Sequence, residues 1–211
     1  AMAIGAFISG ASARHLAARF GAPGTVLIGL GLEVLGVAVL ALAMGPSTSV
    51  WLIALPLVVY GVGLGLASAQ LTGTVLRDVP VASSGQASAT QSTVRQIGSA
   101  LGTAFAGAAL SVSMSLTLPA ALDATGLDAA QAGQLADATR QSAGGMIPQL
   151  QGQAAQQLLG PETQHVIDAL STGFTHATQW ALVIATGFIL LGFLGALQVR
   201  RAARKGETPA A

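Results

Sequence analysis

The chain has 211 residues, 52% of them hydrophobic and only 8% charged, with mean hydropathy +0.67 and a formal net charge of +1. Soluble domains carry about 25% charged residues, so this composition excludes a fully water-exposed surface, and the near-neutral balance gives no case for a nucleic-acid partner. With no cysteine in the sequence, disulfides, thiolate nucleophiles and cysteine metal sites are excluded too.

Residues 1–9 are apolar and are followed by Gly10, Arg14, His15 and Arg19. A signal peptide carries its positive charge before the apolar stretch, so this order points instead to the last turns of a helix that begins earlier. Residues 25–44 are apolar or small with Glu33 as their only charge, and residues 50–69, 97–118 and 177–199 carry none. Each run holds about 20 residues, enough at about 1.5 Å per residue to cross the roughly 30 Å hydrocarbon layer. The expected fold is an all-α membrane protein with four complete transmembrane helices plus the end of a fifth. Residues 1–24 form the end of the preceding helix and a cytoplasmic loop. Residues 25–118 hold three spans with a cytoplasmic loop at about 74–96, residues 119–172 an external loop, 173–199 the last span and 200–211 a cytoplasmic tail.

Alternate polar segments share a side, and their charges differ. One side receives Arg14, Arg19, Arg77, Arg95, Arg200, Arg201, Arg204 and Lys205; the other receives only Arg140, with Asp123, Asp128, Asp137, Glu162 and Asp168. The positive-inside rule makes the first side cytoplasmic and places the C-terminus there. Trp51 and Trp180 then fall near the outer ends of their helices, where an aromatic belt belongs.

The 119–172 segment is rich in Gln, Ala and Gly. Residues 127–141 read as a short helix, Gly144-Gly145 and Pro148 interrupt it, and Gly160-Pro161 marks a restart with Pro in the first helical turn. A solvated connector is the expected role, with an external cap as the alternative. Within the spans, Gly98, Gly102 and Ala106 recur every fourth position, Gly61, Gly63 and Gly65 thin the second span, and Gly187, Gly192 and Gly195 dot the last. Small residues of this kind let helix backbones approach in lipid. Pro56 sits inside the second span and is expected to bend it. The 61, 63, 65 spacing does not fit a dinucleotide fingerprint, because no strand precedes it.

Two stretches carry a resemblance. Gly10 to Gly21 (GASARHLAARFG) resembles the cytoplasmic loop motif of major facilitator transporters, in which a Gly precedes Asp-Arg-x-Gly. Gly10, Arg19 and Gly21 match, whereas Ala18 stands where the acid is expected, so an ionic latch through that acid is not implied. The second stretch is YGVGLGLASAQ from Tyr60 to Gln70, then Asp78-Val-Pro80, Ser84-Gly-Gln-Ala-Ser88 and TQSTVRQIG from Thr90 to Gly98. Together these are similar to the fourteen-helix drug:proton antiporter branch (EmrB/QacA type) over about residues 1–115. The resemblance implies that the spans are the last four helices of such a transporter, within its C-terminal bundle. It implies further that the N-terminal helices are missing from this chain. In that family two bundles rock about a midplane site, so small-molecule export and protons belong to the complete protein in the inner membrane.

Glu33 is the proton-coupling candidate, since a carboxylate at the bilayer centre costs about 2.5–3.5 kcal/mol on insertion scales; the alternative is a protonated acid paired with a neighbouring helix. Arg95 and Gln91 lie four apart on one helix face and are substrate-binding candidates; Arg95 reads either as a gate or polar contact facing the other bundle or as a headgroup anchor that snorkels. The resemblance implies that the second span lines the substrate cavity, which makes Tyr60 and Gln70 substrate-contact candidates; hydrogen bonding between helices is the other reading. His15, His165 and His176 have no partner at ligand spacing, so neither a metal nor another cofactor is expected. No serine–histidine–acid arrangement or paired intramembrane carboxylates can be argued, and the chain does not read as an enzyme. The expected function is the C-terminal part of a proton-coupled exporter of drugs or other small molecules. The rival is a small accessory membrane protein that docks to a partner through its glycine strips.

Overall fold

The computed structural model describes residues 1–46, 48–76, 79–155 and 161–206. Among them there are helices and turns and no strand: α1 (Met2–Phe20), α2 (Ala22–Ala43), α3 (Val50–Leu76), α4 (Ser84–Leu122), α5 (Ala129–Gln141), α6 (Met146–Ala155) and α7 (Pro161–Gly206), with short 3₁₀ turns at Val81–Ser83 and Asp123–Thr125. Four stretches are long and apolar enough to cross a membrane: Ala22–Ala43, Val50–Thr74, Val81–Thr125 and Thr163–Arg201. The chain is an all-α, multi-pass membrane protein. At 39 and 46 residues, α4 and α7 are too long to be contained in a hydrocarbon layer of about 30 Å, because each residue adds about 1.5 Å.

Two loops expected from the sequence are largely helix. The 10–24 segment stays helical to Phe20 and resumes at Ala22, leaving Gly21 as the turn, with φ +73°. Ala, Leu and Arg dominate residues 11–19, and their helix propensity outweighs the single Gly10, which costs about 1 kcal/mol. The 74–96 segment is helical to Leu76 and again from Ser84; Arg77 and Asp78 lie outside the described residues. Pro80 closes off the approach to the 3₁₀ turn, and the Ser84 hydroxyl donates back to the Val81 carbonyl at 2.8 Å, leading the chain into α4.

The described residues divide into two compact units, one from 1–40, 49–102 and the end of α7 from 185, the other from 41–48 and 103–184. In the first, α3 has a helix against each of two opposite faces. Gly61 and Gly65, one turn apart, meet α1: a methyl group on Gly61 would overlap the Met2 carbonyl, and one on Gly65 would overlap the Ser9 hydroxyl. Ser9 can be buried there because its hydroxyl is satisfied within α1 by the Ala6 carbonyl at 2.6 Å. Gly63 points the other way, two residues being about 200° around a helix. A methyl group on it would lie 2.5 Å from the Gly29 carbonyl oxygen and 2.8 Å from the Glu33 backbone nitrogen of α2. The opposite side of α2 meets α7, with Gly24 near Arg200 and Gly31 near Phe193. Pro56 lies within α3, its carbonyl against Gly36.

The second unit has its own core. Met114, Leu118 and Leu122 recur every fourth residue on α4, and they join Ala136 of α5, Ile147 of α6 and Leu170 and Ala177 of α7. The Thr117 hydroxyl sits between the carbonyls of Ser113 at 3.0 Å and Gly173 at 2.8 Å, linking α4 to α7. The Gln179 amide reaches the Met44 carbonyl. α5 starts on Asp128, whose carboxylate accepts from the Ala130 N–H at 3.2 Å, the capping the helix N-terminus calls for. It ends in a turn with Ala143 at φ +47° and Gly144 at φ +84°. Much of the segment expected as a solvated connector is therefore packed helix, held by apolar residues at helical spacing.

Candidate functional site

The sequence-derived site residues separate into two groups. The first lies on the seam between α2 and α3. Gly29, Glu33 and Gly36 follow one another along α2 at i, i+4 and i+7, facing Tyr60, Gly63 and Ala67 of α3. Because Gly29, Gly36 and Gly63 have no side chains, the backbones close around Glu33 and leave it 8% exposed. Glu33 and Tyr60 are near enough to act on each other electrostatically. This is a buried acid and a half-buried phenol one turn apart on a tight seam. It can hold or pass a proton, and it has no room for a drug-sized ligand.

The second group lies where α3 ends and α4 begins. The Gln91 amide donates to the Thr72 hydroxyl at 3.2 Å, tying the two helices across their connection. Ser88, Gln91, Ser92, Arg95 and Gln96 lie at helical spacing on α4 and, with Thr72, line a polar cavity of about 280 Å³. On the other side of Gln91 and Arg95 is a larger chamber of about 620 Å³, with Leu71, Val79, Ala87 and Val94 among its lining residues. Gln91 and Arg95 border both. The arrangement joins one guanidinium, two amides and three hydroxyls to an apolar hollow, which suits a molecule with a polar, negatively charged end and an apolar body.

The other candidates stand apart from both groups. Gln70 is half-buried on α3, its carbonyl accepting from the Thr74 hydroxyl at 2.7 Å, and it does not line either cavity. Ten residues separate it from Tyr60, about 15 Å along the helix, so the two do not share one subsite. Gly10 has open space beside it. Arg19 lies over the Phe20 ring, 5.5 Å from its centroid, and Gly21 forms the turn to α2. Sequence reasoning missed Leu71, Val79 and Ala87; the i, i+4 rows on α4 pointed to its share of the lining, but nothing local told that Val79 folds over it. Among the described residues no group of His, Asp and Glu could hold a metal ion.

These features define a multi-pass helical membrane protein with an amphipathic double cavity at one helical hairpin and a buried acid on a neighbouring seam. No protein-family model matches the sequence, and no solved structure does. Among curated proteins the chain is similar to the multidrug resistance protein Stp of Mycobacterium tuberculosis, in strains CDC 1551 / Oshkosh and ATCC 25618 / H37Rv. Each is 29% identical over 186 residues, covering 85% of this chain and 33% of Stp. The chain thus spans about a third of the length of the curated relatives it matches. The similarity is to a protein named for multidrug resistance.

Proposed function

We propose that this chain is the C-terminal part of a secondary active transporter of the major facilitator type, in the fourteen-helix drug:proton antiporter branch. In this reading the complete protein exports drugs or other small molecules across the inner membrane. The observation that carries it is the similarity to Stp along most of the chain, supported by four apolar helices of spanning length and by the motif residues between Tyr60 and Gly98. One partial bundle cannot provide alternating access, so the activity is that of the longer protein, with helices beyond this chain supplying the opposing wall. Glu33 carries the exchanged proton on the α2–α3 seam, and Gln91 and Arg95 contact substrate at the hairpin. The chain performs no covalent chemistry and needs no cofactor, and its C-terminus is cytoplasmic.

The test is ethidium accumulation in an efflux-deficient bacterial strain expressing the full-length protein, with and without a protonophore. Lower accumulation that the protonophore restores is the expected result. Accumulation equal to the vector control, across ethidium and two structurally unrelated dyes, with the protein present in the membrane, would overturn the reading.

A further inference from the structure

The hairpin cavities set one guanidinium beside an apolar hollow. Arg95 stands two residues before the uncharged run of α4, residues 97–118, which sets its guanidinium at the boundary between hydrocarbon and headgroups. Around it are Gln91, Gln96, Ser92 and Thr72, all hydrogen-bonding groups. No ion pair involves Arg95 among the described residues, where the described ion pair is Asp137–Arg140 at 2.9 Å. Immediately beside this polar cavity is the apolar chamber. From its rim an apolar row of Val94, Ile97 and Leu101, 63%, 55% and 55% exposed, runs up α4. Gly98 and Gly102 lie beside that row, with open space next to both, forming a shallow furrow. A phosphate on the guanidinium and an acyl chain in the chamber and furrow would satisfy both halves at the depth where a bilayer supplies them.

We propose that the α3–α4 hairpin is a binding site for an anionic phospholipid, its phosphate held by Arg95 and Gln91 and its acyl chain laid along the apolar chamber and the Gly98–Gly102 furrow. Both kinds of headgroup offer the phosphate, so the discrimination comes from net charge, and a single guanidinium favours a net negative headgroup over a zwitterionic one by about fivefold in affinity.

The experiment is native mass spectrometry of the full-length protein, titrated with phosphatidylglycerol or phosphatidylcholine of identical acyl chains, or with glycerol phosphate alone. The expected result is phosphatidylglycerol retained about fivefold better than phosphatidylcholine, the preference falling to near unity in Arg95→Gln. Ala87→Phe, which fills the chamber without touching the guanidinium, is expected to weaken retention of phosphatidylglycerol. Equal retention of the two lipids by the unmodified protein, or an unchanged preference in Arg95→Gln, would overturn the proposal. So would glycerol phosphate displacing phosphatidylglycerol while Ala87→Phe has no effect, since the site would then take free phosphate rather than lipid. Lipid retention is read without transport, so its outcome stands apart from whether the full-length protein exports ethidium.

Discussion

Replacing Gly63 by Ala tests the packing of α2 on α3 most directly. The added methyl carbon would lie 2.5 Å from the Gly29 carbonyl oxygen and 2.8 Å from the Glu33 nitrogen, where non-bonded contacts of carbon are comfortable at about 3.5–4.0 Å. Both neighbours are backbone, so no rotamer change relieves the overlap and the two helices must part by roughly 0.5–1 Å. A gap of that size forfeits about a quarter to a half of the dispersion energy along the seam, and overpacking of this kind costs about 1–3 kcal/mol. Gly98→Ala is the matched control: its methyl meets nothing within 4 Å, and better helix propensity should make it neutral or stabilising by up to about 1 kcal/mol. The difference between the variants should therefore be about 2 kcal/mol or more, a factor of about 30 in the folded-to-unfolded ratio. Reversible unfolding in bicelles, followed by the fluorescence of Trp51 and Trp180, measures it. Equal stabilities for Gly63→Ala and Gly98→Ala would refute the backbone-to-backbone seam.

Three further outcomes are expected. Gly144→Ala forces a side chain onto a residue at φ +84° and into the Phe174 ring, so it should destabilise the 103–184 unit by about 2 kcal/mol or more, seen as faster amide exchange in α5 and α6 than in α3. Asp128→Ala removes the cap on Ala130 and should loosen the first turn of α5 by about 1 kcal/mol, with exchange faster there and unchanged in α2. Glu33→Gln keeps the shape of the seam and removes the ionisable group; in the full-length protein it should abolish efflux driven by a proton gradient while leaving membrane insertion intact, and unaltered efflux would take Glu33 out of coupling.

The spans were legible because absence of charge over about 20 residues is a strong signal in lipid, and the α2 and α3 boundaries follow it closely at Ala22–Ala43 and Val50–Leu76. The short helix within residues 127–141 and Pro161 opening a long one were legible, the second from the place of proline in a first helical turn. The helical continuation of α1 through Arg14 and Arg19 was not, because a charge-based division treats a polar stretch as a loop whether or not its backbone is helical. Nor was the core of Met114, Leu118, Leu122, Ala136, Ile147 and Leu170: its members come from four helices, and the surrounding Gln and Ala dilute the pattern within any one of them. At the hairpin, the Gln91–Arg95 pair was visible as neighbours on a helix, whereas its bond to Thr72 depends on how residues 79–84 turn the chain. Tyr60 and Gln70, grouped by their polarity, prove to belong to different depths of α3.

The alternation of Gly61, Gly63 and Gly65 has a mechanical consequence. At Gly61 against α1 and Gly63 against α2, main chain runs against main chain, and only the short side chain of Ser9 reaches in at Gly65. Such a surface holds two rods laterally while offering little resistance to sliding along their length. Shear motion of packed helices, one of the elementary movements of membrane and soluble proteins alike, is easiest on tracks of this kind, and α3 has one on each of two opposite sides.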